Sequence, residues 1–146
     1  MGQPILWVDH KIELVSAHIT YIEKQILKNT SVLIRNTPRA KNNLSDEIDD
    51  AMQYDRYRLA MPQTLEWIDA MKAKRGAKES ARIMNTGLIY YADLASVRTV
   101  LDEVYEVTQS LRQPECQIIW VVLSQSIESL IQRVEWSEFG IEHRLP

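Results

Sequence analysis

The residues of this 146-residue chain best suited to chemistry are carboxylates at helical spacing: Asp46, Glu47 and Asp50, followed by Glu66 and Asp69. Oxygen ligands one turn apart, brought together from facing helices, can collect Mg²⁺, and the metal then activates water. Glu47, Asp50, Glu66 and Asp69 are the candidate ligands. The same residues have an ordinary use, because carboxylates at a helix start complement the positive end of its dipole. Other catalytic spacings are absent from the sequence. His10, His18 and His143 form no HExxH or ExxH pattern with a carboxylate, which excludes those zinc and di-iron motifs. Cys116 is the only cysteine, so an intramolecular disulfide and a paired-cysteine zinc site are both excluded. It reads as a small core residue.

The carboxylate pattern resembles the EExxE and ExxD helical pairs of all-α nucleotide pyrophosphohydrolases of the MazG type, with Asp in place of Glu at two positions and Pro62 interrupting the connection. That resemblance implies a Mg-dependent hydrolysis of nucleoside triphosphates. A basic block, Lys72, Lys74, Arg75, Lys78 and Arg82, offers a second chemistry despite a formal net charge of −3. Residues 63–98 resemble the helix-turn-helix of phage-type transcription regulators and sigma factors, with Glu79 to Met84 as first helix, Asn85 to Gly87 as turn and Leu88 onward as recognition helix. The resemblance implies DNA binding through residues 72–98, using Lys72, Lys74, Arg75, Lys78, Arg82 and Arg98. The recognition segment presents Tyr90, Tyr91, Asp93, Ser96 and Arg98, so it is equipped to hold phosphates rather than to read base edges.

The elements that would position these groups are read from apolar periodicity. Hydrophobic residues make up 45% of the chain and charged residues 25%, an ordinary soluble composition of a size that buries one core. The scarcity of glycine and proline argues for helices over a many-stranded β fold. Val8, Ile12, Val15, Ile19, Ile22 and Ile26 repeat at alternating steps of 4 and 3, which predicts a helix from Asp9, its N-cap, to Lys28. The same rhythm runs through Tyr90, Leu94, Val97, Leu101, Val104, Thr108 and Leu111, and again through Cys116, Trp120, Leu123, Ile127, Leu130 and Val134. Between them, Asn29 to Asn43 reads as a mobile loop, Ser45 as the N-cap of a helix that stops before Pro62, and Pro62 and Gly76 as the start and end of another. The tail from Ser137 to Pro146 reads as exposed.

The expected fold is a single all-α domain over 1–146, a bundle of about five helices with a helix-turn-helix-like element at 63–98 as its alternative feature. Three seams in one chain leave one over for a partner, and Trp7, Trp120, Trp136 and Phe139 are the candidate partner-binding residues because large aromatic rings dominate interface hot spots. The first expectation for function is therefore a non-catalytic regulatory protein that binds another protein, as a homo-oligomer and without a cofactor. DNA binding and Mg-dependent pyrophosphohydrolysis are the alternatives. The longest uncharged run, Cys116 to Ile127, is too short to span a membrane, and the lone cysteine suits the cytoplasm.

Overall fold

A computed structural model describes residues 3–26, 30–39, 41–138 and 141–142. The chain is mixed α/β, not all-α, and it divides into two compact units. The first unit comprises Met1–Pro38, Met84–Arg98 and Ile127–Pro146; the second comprises Arg39–Ile83 and Thr99–Ser126.

The first unit is built on a sheet. Strands β1 (Ile5–Val8), β3 (Val32–Asn36), β4 (Met84–Tyr91) and β5 (Ile131–Val134) lie in the order β1-β4-β3-β5. β4 is antiparallel to both of its neighbours, and β3 runs parallel to β5. A two-stranded pair joins β2 (Ile12–Glu13) to β6 (Ile141–Glu142), and helix α1 (Ser16–Ile26) follows β2. Ile12, Ile22, Leu33, Leu88 and Val134 form a buried cluster, with Leu6, Leu14, Tyr21 and Tyr90 packed against it.

Every residue of β3 is buried, the polar Arg35 and Asn36 included, so its sequence shows no apolar–polar alternation. The loop expected over 29–43 thus contains the sheet's most enclosed strand. Asn85 to Gly87, expected as a turn, lies inside β4. There the register with β3 shifts, Ile34 facing Ile89 while Arg35 faces Asn85, which makes Thr86, Gly87 and Leu88 a bulge. Gly87 sits tightly at that point: a Cβ would stand 3.2 Å from Ile12 Cδ1 and 3.1 Å from Asn85 Oδ1, and those side chains would have to shift.

The second unit is helical: α2 (Leu44–Ala51), the short α3 (Asp55–Arg58), α4 (Met61–Arg75), most of α5 (Leu94–Leu111) and α6 (Cys116–Leu123). α2 packs against α6, and α3 against α4. α4 has Pro62 in its first turn and ends at Gly76 as expected, with Gly76 in the left-handed conformation at φ 67° and its N–H donating to Met71 and Lys72 carbonyls. α2 is capped by Asn43, not Ser45. Asn43 Oδ1 accepts from the Asp46 N–H at 2.9 Å while Asp46 Oδ2 accepts from the Asn43 N–H at 3.1 Å, a reciprocal capping box.

Each of the three expected long helices is shortened by a strand. The first, expected from Asp9, gives way at its start to a turn in which Asp9 O accepts from the Ile12 N–H, and to β2; β-branched residues suit a pleated surface as well as a helical seam. His18 Nδ1 then accepts from the Val15 N–H at 3.0 Å at the start of α1. In the second, Tyr90 and Tyr91 belong to β4 and only the part from Leu94 is helical. The third ends as an α-helix at Leu123 and continues as a 3-10 helix, Ser124–Leu130, and as β5. Ser126 Oγ donates to the Leu123 carbonyl and Gln125 Nε2 to the Val121 carbonyl, and such side chains compete with the backbone at a helix end. Ile118 to Leu123 are all buried, so α6 is enclosed all round instead of presenting one stripe.

The helix-turn-helix at 63–98 is overturned with the all-α bundle. Residues 78–83 form no helix: Leu44 N–H donates to the carbonyls of Glu79 and Ala81, Ile83 N–H donates to the Asn42 carbonyl, and Arg82 bridges to Asn43. No helix among the described residues is long and apolar enough to cross a membrane.

Candidate functional site

Two places in the chain carry features beyond packing, one in each unit. In the first unit, β1 is the terminal strand of the sheet, paired with β4 along one edge and with no described strand along the other. Its residues alternate as the pleat requires. Leu6 is half-buried against the cluster of Leu33 and Leu88, whereas Ile5 and Trp7 point away and are 44% and 59% exposed. Val8, at the strand end, is also exposed, as are Val15 and Ile19 near and on α1. The apolar stripe Val8 to Ile22 is therefore split: Ile12 and Ile22 enter the core, and Val8, Val15 and Ile19 remain outside.

The four residues expected at a partner surface separate sharply. Trp7 is exposed on β1. Trp120 is 4% exposed on α6, and its indole Nε1 lies buried without a hydrogen-bond partner, so it cannot meet a partner as the chain stands. Trp136 is half-buried, and its ring receives the guanidinium of the fully buried Arg35 at 3.6 Å from the ring centroid, a cation–π contact that accounts for the tryptophan internally. Arg35 Nε and Nη2 also donate to Asn85 Oδ1, each at 3.3 Å. Phe139 lies outside the described residues.

Comparison with protein-family models, curated proteins and solved structures finds no match. The sites are accordingly read from their own geometry.

In the second unit, a half-buried carboxyl cluster gathers around α2 and α6. Glu47 is 6% exposed; its Oε1 accepts from Gln117 Nε2 at 3.2 Å and its Oε2 from Arg39 Nη1 at 3.2 Å. The same Arg39 nitrogen donates to Asp50 at 3.0 Å. Glu115 caps α6 by accepting from the Gln117 N–H, and Tyr57 lies within its reach. Burial pushes the Glu47 carboxyl above the ordinary carboxyl range, and the neighbouring Glu115 charge pushes it further. Burial raises Glu115 as well, against the Gln117 N–H and the Tyr57 hydroxyl, which favour its charged form. Burial, then Glu115, likewise raises the Tyr57 phenol. Gln113, fully buried, fixes the approach to this cluster. It donates to Thr64 Oγ1 and to the Tyr57 carbonyl and accepts from the Glu115 N–H, at 3.1, 3.3 and 3.1 Å. Such a cluster keeps its carboxyl protons to higher pH than exposed carboxyls do.

The four candidate metal ligands do not converge. Glu47 and Asp50 are joined through Arg39, Glu66 is exposed, and Asp69 pairs with Lys72 at 3.0 Å. Among the described residues no group of three or more His, Cys, Asp or Glu could hold a metal ion. The basic block is equally dispersed. Lys72 bridges Asp69 and Glu79, and Arg75 grips Glu103 with two nitrogens at 3.0 and 2.6 Å. Lys74, Lys78 and Arg82 are exposed around the end of α4 and the segment after it, and Arg98 is exposed in the first unit.

Sequence reading missed Ile5, Arg39, Gln113, Glu115 and Gln117. An uncharged run, ILWV, directly before Asp9 was the available signal for the strand. Glu115 stands after Pro114 and before the most apolar run of the chain, the place of a helix cap. Nothing in the spacing ties Arg39 or Gln117 to Glu47, because that juxtaposition arises only in the folded unit.

Proposed function

We propose that this protein is a binding protein, not an enzyme, and that it engages another polypeptide through the outer edge and exposed face of β1. The observation that carries the reading is Trp7, 59% exposed on the terminal strand of the sheet. Its ring stays largely exposed, and tryptophan is among the residues most enriched at binding hot spots. Ile5 and Val8 flank it with further exposed apolar surface. The open edge adds a second attraction. A terminal strand presents unpaired N–H and C=O groups, which an extended segment of a partner can satisfy by joining the sheet. The exposed thiol of Cys116 suits a reducing compartment such as the cytoplasm.

The experiment is affinity capture from the source cell on the immobilised full chain, run beside the Ile5→Lys and Trp7→Lys variants. A specific set of proteins, a second copy of the chain included, should be retained by the wild type and lost from both variants. Retention of the same set on wild type and variants would remove β1 from the binding role.

A further inference from the structure

We infer that the surface at the end of α4, together with the paired segments 41–44 and 78–83, binds the phosphodiester backbone of a double-stranded nucleic acid without reading its sequence. All of it lies in the second unit. Residues 72–82 hold five cations and one carboxylate, in a chain whose net charge is −3. The carboxylates that meet these cations are already taken: Asp69 and Glu79 share Lys72, and Glu103 holds Arg75. Asp46 is turned onto the Asn43 N–H. Lys41, Lys74, Lys78 and Arg82 are left exposed, and among the described residues their side chains have no hydrogen-bond or ion-pair partner.

The backbone beneath these cations is tied down. Leu44 N–H donates to the carbonyls of Glu79 and Ala81 at 3.1 and 3.0 Å, Ile83 N–H donates to the Asn42 carbonyl at 2.6 Å, and Asn43 and Arg82 form a β-bridge. Gln125 brackets Lys78: its Oε1 accepts from the Lys78 N–H at 2.9 Å and its Nε2 donates to the Lys78 carbonyl at 3.3 Å. Lys41, Lys78 and Arg82 are thus carried side by side on paired segments, so binding has mainly side chains left to order.

What surrounds the cations selects the partner. None of the exposed large hydrophobic residues of the described chain falls within 41–44 or 72–83. A protein partner draws its affinity from apolar and aromatic anchors at the centre of an interface, and a single strand from bases stacked on exposed rings. This surface supplies neither. Contacts to a duplex backbone need only cations and small donors, and the exposed Ser80, between Lys78 and Arg82, adds a hydroxyl. Lysine outnumbers arginine among the four, and lysine meets phosphate as a point charge rather than as a fork that recognises one geometry. With about four phosphate contacts the affinity belongs to the non-specific range, Kd roughly 10⁻⁴ to 10⁻⁶ M at physiological salt, with log K falling against log salt at a slope of about −3.6.

Fluorescence anisotropy of labelled DNA duplexes of unrelated sequence, titrated with the full-length chain over a salt series, tests this. The duplexes should bind alike, and Lys74→Gln, Lys78→Gln and Arg82→Gln should each weaken binding and reduce the salt slope by about one. The triple variant should lose binding and keep the wild-type melting temperature, because these side chains touch nothing in the fold. Arg56→Gln makes the same charge change on α3, which precedes the start of α4, and should leave the affinity within about twofold, so that a loss in the triple variant is not one of net charge alone. Absence of duplex binding at the lowest salt, or binding unchanged in the triple variant, would overturn the inference. So would tighter binding to a single strand, to polyglutamate or to vesicles of anionic phospholipid than to duplex, which would assign the same cations to a different partner.

Discussion

Gln117 donates its side-chain amide to Glu47 at 3.2 Å, across the contact between α6 and α2. This neutral bond and the Arg39 ion pair favour the ionised form of an almost buried carboxyl, while burial and the nearby Glu115 charge oppose it. Arg39 is about half exposed, and an exposed partner contributes little because water screens it. The balance therefore leaves the Glu47 carboxyl above the ordinary carboxyl range.

The consequence is a pH dependence of stability with a definite sign. Glu47 and Glu115 are both raised on folding, so the folded state binds their protons more tightly than the unfolded chain does. The stability they contribute is complete below the ordinary glutamate value of about 4.3 and is lost as pH rises through their raised folded values. Thermal melts should therefore show the protein gaining stability as pH falls from neutral toward that value. Glu47→Gln and Glu115→Gln should each flatten the rise. Asp93 is lowered by its bonds to Ser96, so its opposing loss begins only at more acid pH. A melting temperature that falls steadily from neutral pH to mild acid, unchanged by either substitution, would contradict this account.

The capping box at α2 predicts an asymmetry between neighbours. Asn43→Ala removes the acceptor for the Asp46 N–H and should cost about 1 kcal/mol. Ser45 is exposed inside the first turn, and Ser45→Ala should change stability by less than about 0.5 kcal/mol. Urea unfolding of the two variants reads the difference directly.

What the sequence disclosed follows from which signals are local. The ends of α4 were legible because Pro62 and Gly76 act on their own backbone: a missing N–H at one end, a left-handed residue at the other. The acidic start of α2 was legible too, though displaced from Ser45 to Asn43. The sheet was not. β3 carries no alternation because it is buried throughout, and β1, β2 and β5 are short segments whose Ile and Val residues also satisfy a 3-4 helical rhythm. Long-range pairing decided their state, as between Val32 and both Tyr91 and Ile131. Of the candidate partner-binding residues, Trp7 was singled out from its type alone, and it is the one that stays mostly exposed. Trp120 and Trp136 were equally apparent by type but are consumed inside the fold, and the Glu47–Gln117 contact joins residues far apart in sequence.

Arg112 is the only described non-glycine residue at positive φ, 52°. It follows α5 and closes a Schellman turn: its N–H donates to the Gln109 carbonyl and the Gln113 N–H to the Thr108 carbonyl. An L side chain in this conformation costs roughly 1 kcal/mol relative to glycine. Arg112→Gly should therefore stabilise the protein by up to about 1 kcal/mol, measurable as a higher urea midpoint at unchanged m-value. Gly76→Ala is the converse. Its Cβ would meet nothing within 4 Å, yet φ is 67°, so the loss of about 1 kcal/mol expected there is backbone strain rather than a clash.

The tryptophans offer a test that separates surface from core without a partner in hand. Trp7 is 59% exposed and Trp120 4% exposed, with Trp67 and Trp136 between them. Acrylamide should quench the fluorescence of the monomer in two classes, and Trp7→Phe should remove most of the accessible class while leaving the melting temperature nearly unchanged. Trp136→Leu should do the opposite. It takes away the ring beneath the fully buried Arg35 guanidinium, a contact worth about 1 to 2 kcal/mol when desolvated, and should lower stability with little effect on the accessible fraction.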